Sequence, residues 1–383
     1  MKKILIVHNK YLETGGEDVS VLNEIEILKK YFTVETIFFN NSFKFNLNNL
    51  KAFLTLKNLH SQKKLEEKIS DFNPDLVYVH NIWFKASLSV LDLLDTQKIK
   101  YIIKLHNFRY FCTRNFLAKN HSSDLVCKAC GFRKKLKFFN KYYKNSYLKS
   151  FLVIRFGKKY INKIRKSNLL VLTKFHKDFL INLGFSKENI HISNNFMNIE
   201  MYDQLFNRVS PSLKNIIFAG RISEEKGVLE LIESFKKSKL SEYTLEIIGT
   251  GPMLKKLSLK NKTHNIKFTG HIDNKLVLEK VSTSTAVVAP SKLFEGQPTV
   301  LCEASFLGKP SIYFDNGGIG EFYPNDYPLS CNQRNISDLV DKLNSILDLS
   351  FSEKWGVRNK KFIEEKLNED FLINNFKNII DSI

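Results

Sequence analysis

The segment Ala289–Asp315, APSKLFEGQPTVLCEASFLGKPSIYFD, is the stretch on which the predicted fold depends. The apolar run that ends at Ala289 predicts a buried strand, and the run after Gly308 predicts another. Between them we predict a loop and a helix that begins at Pro298, because the first turn of a helix has no partner for the N–H that proline lacks. A strand, loop, helix and strand in this order are typical of an α/β domain.

The loop and first helical turn of this segment carry groups that bind polar ligands. The N-terminus of a helix is its positive end, so the backbone amides near Gly296 and Gln297 suit an anion, and Gly296 lets a ligand approach closely. Glu295 lies in the loop, whereas Glu303 lies between one and two turns inside the helix. Because helical side chains tilt toward the N-terminus, we predict that both carboxylates face one opening. The alternative is that each glutamate is solvated or salt-bridged for structural reasons.

Two cations near the start of another predicted helix form a second candidate binding feature. Gly220 and Arg221 end the predicted strand NIIFAG, and Lys226 comes five residues after Arg221 at the helix start. An Arg and a Lys so placed beside a helix N-terminus can hold an anion such as a phosphate. The alternative is a pair of solvated surface cations.

The chain alternates strand and helix patterns twice over. Its 383 residues suit two domains, for which we predict residues 1–200 and 201–383, with a final helix over about 368–383 packing back on the first domain. The alternation favours parallel sheets with helices on both faces. His80 and His106 end two consecutive predicted strands at the carboxyl edge, where such sheets bind ligands. Each histidine could instead be only a satisfied hydrogen-bonding group.

The net charge of +20 indicates an anionic partner, unless it is compositional drift toward lysine. The stretch from Leu125 to Lys177 has sixteen Lys or Arg, interleaved Phe and Tyr, and no Asp or Glu. This pattern suits adsorption to an anionic membrane surface, and the alternative is a solvated basic face on helices whose aromatics are core. No apolar run approaches the roughly 20 residues of a membrane span, and the N-terminal apolar run is too short for a signal peptide. We therefore expect a cytoplasmic protein that is peripheral on the inner face of the membrane.

Five cysteines are too few and too uneven for a secreted disulfide framework. Cys112, Cys127 and Cys130 cluster around His121, which leaves a structural zinc site open as an alternative to reduced thiols packed under a loop. We expect no cofactor and no catalytic metal.

Several motifs together resemble the retaining, nucleotide-sugar-dependent glycosyltransferases of family four, which have the GT-B architecture. Pro290-Ser291, Glu295-Gly296 and Glu303-Ala304 resemble the E-x7-E segment of that family, and Phe218–Gly227 resembles its diphosphate-binding segment. Weaker matches are Gly15-Gly16, Leu105-His106-Asn107, Gly249-Thr250-Gly251-Pro252 and Gly317–Glu321, where Gly320 replaces the usual proline. The resemblance covers nearly the whole chain and is strongest from Ile216 to Glu321. It implies two Rossmann-like domains that face each other across a cleft, the first binding the acceptor and the second the nucleotide sugar.

The resemblance also implies roles for individual residues. Arg221 and Lys226 would stabilise charge on the departing diphosphate, Glu295 and His106 would contact the donor sugar, and Glu303 would bind the ribose hydroxyls. We predict that the catalytic residues are Arg221, Lys226, Glu295 and His106. The predicted substrate-binding residues are Gly15, Gly16, Gly220, Gly249, Gly251, Ser291, Gly296, Gln297, Pro298, Thr299 and Glu303.

The function implied is retaining transfer of a sugar from a nucleoside-diphosphate sugar to a hydroxyl of a growing cell-surface polysaccharide, such as capsule or O-antigen. The acceptor would be a sugar linked to polyprenyl diphosphate. No Asp-x-Asp occurs in the chain, so we expect the reaction to be independent of metal.

Two other classes of function remain open from the sequence. A sugar-nucleotide epimerase or a phosphorylase could share the architecture, although the combination of Arg221, Lys226 and the two glutamates disfavours an epimerase. A nucleic-acid-binding protein would explain the charge alone, but no motif of the usual modules is present, and we expect no nucleic-acid partner.

Overall fold

The computed structural model describes residues 1–10, 15–40, 55–83, 85–109, 111, 127–128, 146–206, 214–332 and 335–383. Its contacts divide the chain into two compact units. The first unit is Met1–Met197 together with Glu369–Ile383, and the second is Asn198–Asn368. The first unit thus ends near the expected boundary and takes in the C-terminal helix.

The first unit contains a parallel sheet of six strands. They are β1 (Lys3–Lys10), β2 (Thr33–Asn40), β3 (Leu76–Val79), β4 (Tyr101–Leu105), β5 (Asn168–Val171) and β6 (Ile190–Ile192). Their order across the sheet is β2-β1-β3-β4-β5-β6, and every neighbouring pair is parallel. Val7 of β1 pairs with Val79 of β3. His8 and His80 are the next residues after this pair in the two neighbouring segments. The apolar runs are buried on both faces, as the central strands of a parallel sheet require.

Helices connect and cover these strands. They are α1 (Gly16–Tyr31), α2 (Leu59–Phe72), α3 (Ser89–Thr96), α4 (Tyr147–Ile164), α5 (Lys174–Asn182) and, at the end of the chain, a helix over Glu369–Ser382. This terminal helix packs on the first unit through Phe376, whose ring lies 5.9 Å from that of Phe32 and 5.4 Å from that of Tyr78.

A buried ion pair joins α1 to the sheet. Lys104 Nζ of β4 lies 3.0 Å from Glu24 Oε2, and both side chains are fully buried. Tyr78 of β3 donates a hydrogen bond of 2.7 Å to the same carboxylate. Because a lone buried charge is strongly unfavourable, removing either partner would destabilise this unit.

The second unit contains another parallel sheet of six strands. They are β7 (Asn215–Ala219), β8 (Thr244–Ile248), β9 (Ile266–Gly270), β10 (Ala286–Ala289), β11 (Ser311–Phe314) and β12 (Ser330–Cys331), in the order β12-β11-β10-β7-β8-β9. The helices are α6 (Ile199–Phe206), α7 (Val228–Lys237), α8 (Leu254–Lys260), α9 (Asn274–Ser282), α10 (Thr299–Phe306), α11 (Ile336–Ser345) and α12 (Leu349–Lys366), so the terminal helix is α13. The predicted α/β class with parallel sheets is confirmed.

The segment Ala289–Asp315 forms the predicted elements, with one shift at the helix start. Strand β10 ends at Ala289 and β11 begins at Ser311. Helix α10 begins at Thr299, and Pro298 is its N-cap rather than its first residue. Within the described ranges, no helix is both long and apolar enough to cross a membrane.

Candidate active site

Backbone contacts bring the loop after β7 against the loop after β10. Gly227 adopts a left-handed conformation with φ of 73°, and a Cβ there would overlap the carbonyl oxygen of Pro290. Next to this contact, the amide of Lys292 donates a 2.8 Å hydrogen bond to the carbonyl of Glu225. Glycine is therefore required at residue 227 both for its backbone conformation and for the close approach of the two loops.

Three predicted site residues meet where these loops touch. Lys226 Nζ lies 2.5 Å from Glu295 Oε1, and Ser291 Oγ donates a 2.7 Å hydrogen bond to that oxygen. The side chains of Lys226 and Glu295 are 31% and 19% exposed to solvent, so a ligand can still reach them. A partly exposed ion pair of this kind contributes little to stability, and an incoming anion can displace it.

The glycine-rich loop before the short 3₁₀ helix Ile319–Phe322 fixes the backbone of Glu295. The Glu295 amide donates to the carbonyl of Asn316 at 3.2 Å, and the Glu295 carbonyl accepts from Gly318 at 2.8 Å. Gly317 has φ of 89°, and a Cβ there would lie 2.6 Å from the Glu295 carbonyl oxygen. The backbone that carries the Glu295 carboxylate is therefore fixed by hydrogen bonds at both its amide and its carbonyl.

A small pocket opens beside these contacts at the carboxyl edge of the second sheet. Five predicted site residues line it, namely Gly220, Lys226, Ser291, Glu295 and, at the start of α10, Pro298. The remaining lining residues are Phe218, Ala219, Ala289, Val300, Leu301 and Ile319. Arg221 is exposed next to Gly220, and within the described part of the chain no partner is recorded for its guanidinium. The pocket thus combines a cation, a carboxylate and a helix N-terminus.

The start of α10 supplies backbone donors to this region. Because α10 begins at Thr299, the amides of its first turn have no partner inside the helix, and Pro298 contributes no side-chain cap. Gly296 and Gln297 are buried in the loop immediately before it. Backbone amides therefore follow directly after Glu295, both in the loop and in the first turn of α10.

The glycines after β8 have a structural role in the second unit. A Cβ at Gly249 would overlap the carbonyl oxygen of Gly220, and one at Gly251 would overlap that of Ile222. Ile222 also donates a 2.7 Å hydrogen bond to the carbonyl of Thr250. Gly249 and Gly251 therefore allow the loop after β8 to pack against the segment that carries Arg221.

Glu303 is not among the residues that line the pocket beside Glu295. Its residue is only 3% exposed, and in the described ranges its single recorded hydrogen bond comes from Asn274 Nδ2 of α9 at 3.4 Å. Burial raises the pKa of the Glu303 carboxyl to about 7, an effect that the Asn274 hydrogen bond partly offsets. The side chain is therefore at the boundary between its neutral and charged forms near neutral pH.

The predicted site residues of the first unit lie at the carboxyl edge of its sheet. Gly15 is the N-cap of α1, and its amide donates a 3.0 Å hydrogen bond to Asp18 Oδ2, so that amide is engaged within the chain. Neither Gly15 nor Gly16 has a positive φ. His106 follows β4, and its Nε2 lies 2.9 Å from Nδ1 of His80, which follows β3.

Two of the sequence-based hypotheses fall partly outside the described residues. Cys112, His121 and Cys130 are not described, whereas Cys127 is described and buried. Among the described residues, no three His, Cys, Asp or Glu side chains are grouped so that they could hold a metal ion. The zinc alternative stays a prediction.

In the basic stretch from Leu125 to Lys177, the described residues are 127–128 and those from 146 onward. In α4 the rings of Phe156 and Tyr160 are buried, as the core interpretation expects. By contrast Tyr147, Leu148 and Phe151 at the start of α4 are 49%, 58% and 53% exposed. The helix therefore has both buried aromatics and an exposed apolar group at its N-terminal end.

The sequence does not show the structural role of two residues of this region. Gly227 belongs to the segment that resembles the diphosphate-binding motif, but its positive φ and its contact with Pro290, which place Lys226, are seen only in the structure. Asn274 was not singled out, because only the fold brings α9 beside Glu303. A sequence signal existed for Gly227, since glycine is the residue that most readily adopts a positive φ in a loop. None existed for Asn274.

The C-terminal half of the chain matches a known family. Residues 206–362 match the model described as glycosyl transferases group 1. The chain is 30% identical over 127 residues to the putative teichuronic acid biosynthesis glycosyltransferase TuaC of Bacillus subtilis (strain 168), covering 33% of this chain and 31% of that protein. It is 25% identical over 154 residues to the amylovoran biosynthesis glycosyltransferase AmsD of Erwinia amylovora, covering 38% and 43%. The chain spans less than two thirds of the length of the relatives that it matches.

Solved structures share the fold over the whole chain. Anabaena Alr3699/HepE in complex with UDP and glucose has a TM-score of 0.70 and 14% identity, with 100% of both chains covered. At this identity the similarity concerns the fold, which is that of GT-B glycosyltransferases.

Proposed function

We propose that this chain, whose residues 206–362 belong to the group 1 glycosyl transferases, transfers a sugar from a nucleoside-diphosphate sugar to a hydroxyl of a cell-surface polysaccharide. The observation that carries the proposal is the contact of Lys226 with Glu295 and Ser291 in a pocket at the N-terminus of α10. A phosphate-binding cation and a hydroxyl-binding carboxylate in one pocket suit a ligand that is both a diphosphate and a sugar.

The leaving group sets the main chemical demand. When the bond between the sugar and the β-phosphate breaks, negative charge grows on the phosphate oxygens. Lys226, Arg221 and the first amides of α10 are the groups that would stabilise this charge. Lys226 sits on a flexible stem and is partly exposed, so it can exchange the Glu295 carboxylate for a phosphate oxygen.

The carboxylates would hold the hydroxyls of the donor. Once Lys226 turns to the phosphate, Glu295 is free to accept hydrogen bonds from the sugar, with Ser291 keeping its orientation. Glu303 would accept from the ribose hydroxyls. Its burial supports this role, since a buried carboxylate with one long hydrogen bond gains most from new donors.

The proposal extends to stereochemistry and to metal. The acceptor hydroxyl would attack from the face that the diphosphate leaves, and the departing phosphate would accept the hydroxyl proton. The product then retains the anomeric configuration, and no side chain has to act as a nucleophile. Two cations and helix amides would meet the demand for positive charge without a metal ion.

A lipid-linked acceptor is the finer part of the proposal. The relatives named for teichuronic acid and amylovoran biosynthesis support a surface polysaccharide as the product class. The acid-free basic stretch and the exposed apolar start of α4 support a site of action at an anionic membrane surface, where a sugar linked to polyprenyl diphosphate would lie.

The test is a panel of nucleotide sugars that vary the base and the sugar. Thermal shift and release of the nucleoside diphosphate would be measured for each, first with UDP-sugars because a structural neighbour was solved with UDP and glucose. One donor should stabilise the protein and be consumed, with or without EDTA. Lys256→Ala, on an exposed face of α8, is the control variant and should behave as wild type.

Absence of binding and turnover with every donor would reject the proposal. Loss of turnover in EDTA that manganese or magnesium restores would reject its metal-independent part.

A further inference from the structure

Two histidines form a hydrogen-bonded pair at the carboxyl edge of the first sheet. His80 Nδ1 and His106 Nε2 are 2.9 Å apart, and the two ring planes are inclined by only 24° with 5.2 Å between centroids. His80 is buried at 2% exposure, whereas His106 is half-buried. The buried His80 thus contacts the half-buried His106 through a single nitrogen of each ring.

The remaining nitrogen of each ring is in a different setting. His80 Nε2 is buried, and among the described residues it has no hydrogen-bond partner. For His106 the contact with His80 is the one hydrogen bond in the described ranges, so its Nδ1 has no hydrogen-bond partner among the described residues. The rings around His80 are Tyr78 at 4.3 Å and His8 at 6.2 Å between centroids.

A neutral imidazole carries one proton, so the pair has two arrangements. If His80 Nδ1–H donates, then His80 Nε2 is an unprotonated acceptor and His106 bears its proton on Nδ1. If His106 Nε2–H donates instead, the proton of His80 lies on its buried Nε2, where it has no acceptor. Orphaned buried N–H donors are rarer in proteins than under-satisfied acceptors, so the first arrangement is favoured.

Both rings are neutral near pH 7. Burial lowers the pKa of His80 well below its ordinary range, and the neighbouring His106, Lys104 and His8 lower it further. Burial also lowers the pKa of His106, with a further contribution from Lys104. The arrangement in which one ring donates and the other accepts therefore holds at neutral pH.

We propose that His80 is a positioning residue that holds His106 in the Nδ1–H form, so that His106 presents a hydrogen-bond donor at the carboxyl edge of the first sheet. The matching ligand group is an oxygen acceptor. Assigning that oxygen to a sugar hydroxyl of the donor rests on the proposed function, whereas the protonation pattern of the pair does not.

The protonation pattern is measured directly on the ligand-free full chain. Nitrogen NMR of protein labelled with ¹⁵N-histidine distinguishes the two forms of a neutral ring, and the His106→Gln and His80→Asn variants assign the signals. We expect the proton of His106 on Nδ1 and that of His80 on Nδ1. A proton on Nε2 of His106 would overturn the proposal, whatever reaction the protein catalyses.

A matched pair of substitutions at residue 80 tests the positioning role. In His80→Asn the carboxamide can still donate to His106 Nε2, so His106 should keep its Nδ1–H form and turnover should stay near that of wild type. In His80→Asp the carboxylate only accepts, which should move the His106 proton to Nε2 and lower kcat/KM about 10-fold or more, as expected for one lost hydrogen bond to the ligand.

Equal losses in both variants with an unchanged His106 signal would show that His80 has only a packing role, and would overturn the proposal. The thermal unfolding temperature is measured for both variants as a control. If His80→Asp does not fold, the NMR measurement on wild type and on His80→Asn still decides the question.

Discussion

Lys226 Nζ lies 2.5 Å from Glu295 Oε1, and this contact joins residues that are 69 positions apart in the chain. It ties the loop after β7 to the loop before α10 at the pocket that both line. Without a ligand the cation and the carboxylate satisfy each other. With a nucleotide sugar, each would turn to a different end of the donor.

A double-mutant cycle should separate the structural and chemical roles of this pair. For Lys226→Ala, Glu295→Ala and the double variant, we expect a coupling in the free energy of unfolding of about 1 kcal/mol or less, because both side chains are partly exposed. Turnover should fall about 100-fold or more in each single variant. Denaturant unfolding and donor consumption measure the two quantities. A large coupling in unfolding with normal turnover would assign the pair to structure alone.

Replacing Gly227 should test whether the backbone places Lys226. Gly227→Ala adds strain at φ of 73° and an overlap with the Pro290 carbonyl, so the two loops must separate. Gly270→Ala is the matched control, since Gly270 has φ of 77° but nothing within 4 Å of an added Cβ. The control should lose about 1–2 kcal/mol of stability and keep its turnover, whereas Gly227→Ala should lose more stability and about 10-fold or more of turnover. Equal effects in the two variants would mean that the contact with Pro290 does not position Lys226.

Burial of Glu303 should make stability depend on pH. The carboxyl pKa is raised from 4.5 to about 7 on folding, so between these values the folded chain binds more protons than the unfolded chain. Stability contributed by this group is therefore greatest below about pH 4.5, falls as pH rises to about 7, and is then constant. The full difference is on the order of 3 kcal/mol. Glu303→Gln should remove this dependence, and parallel curves for both proteins from pH 5 to 8 would contradict the effect of burial.

The same carboxyl should control nucleotide binding. An ionised Glu303 accepts hydrogen bonds from ribose hydroxyls better than a neutral one, so affinity for UDP should rise with pH up to about 7. Glu303→Gln should bind UDP more weakly, and its affinity should show only the pH dependence that ionisation of the UDP phosphate causes. Calorimetric titrations of both proteins at pH 6 and pH 8 measure this. Identical affinities in the two proteins would remove Glu303 from the site.

The sequence predicted the elements of the site better than its contacts. The apolar runs that end at Ala289 and begin at Ser311 define buried strands, because burial on both faces leaves a local signal. The pairing of Lys226 with Glu295 depends on a left-handed Gly227 packed against Pro290, and no local pattern reports a contact between distant loops. Glu303 was expected to share one opening with Glu295. This stays a prediction: the structure shows a hydrogen bond from Asn274 to Glu303, and Glu303 is not among the residues that line the pocket beside Glu295.

Membrane adsorption is expected to depend on the start of α4 and on the basic stretch before it. Leu148→Ser/Phe151→Ser removes exposed apolar area, so co-sedimentation with anionic vesicles should decrease. Phe371→Ser, at a residue that is 61% exposed on α13, is the matched control. Changing Lys134, Lys135 and Lys137 to Glu should weaken binding further, since each cation near the surface contributes about 1 kcal/mol. Equal recovery in the supernatant with anionic and neutral vesicles would favour a soluble acceptor.

The most direct test of the proposed chemistry is the rate at which the Arg221→Ala/Lys226→Ala double variant releases nucleoside diphosphate from the donor that the panel identifies. Both side chains reach solvent, so the variant should fold as wild type does. If the two cations stabilise the departing diphosphate, turnover should fall about 1,000-fold or more while thermal unfolding stays unchanged. Turnover equal to that of wild type would contradict the assignment of Arg221 and Lys226, and with it the proposed transfer from a nucleotide sugar at this pocket.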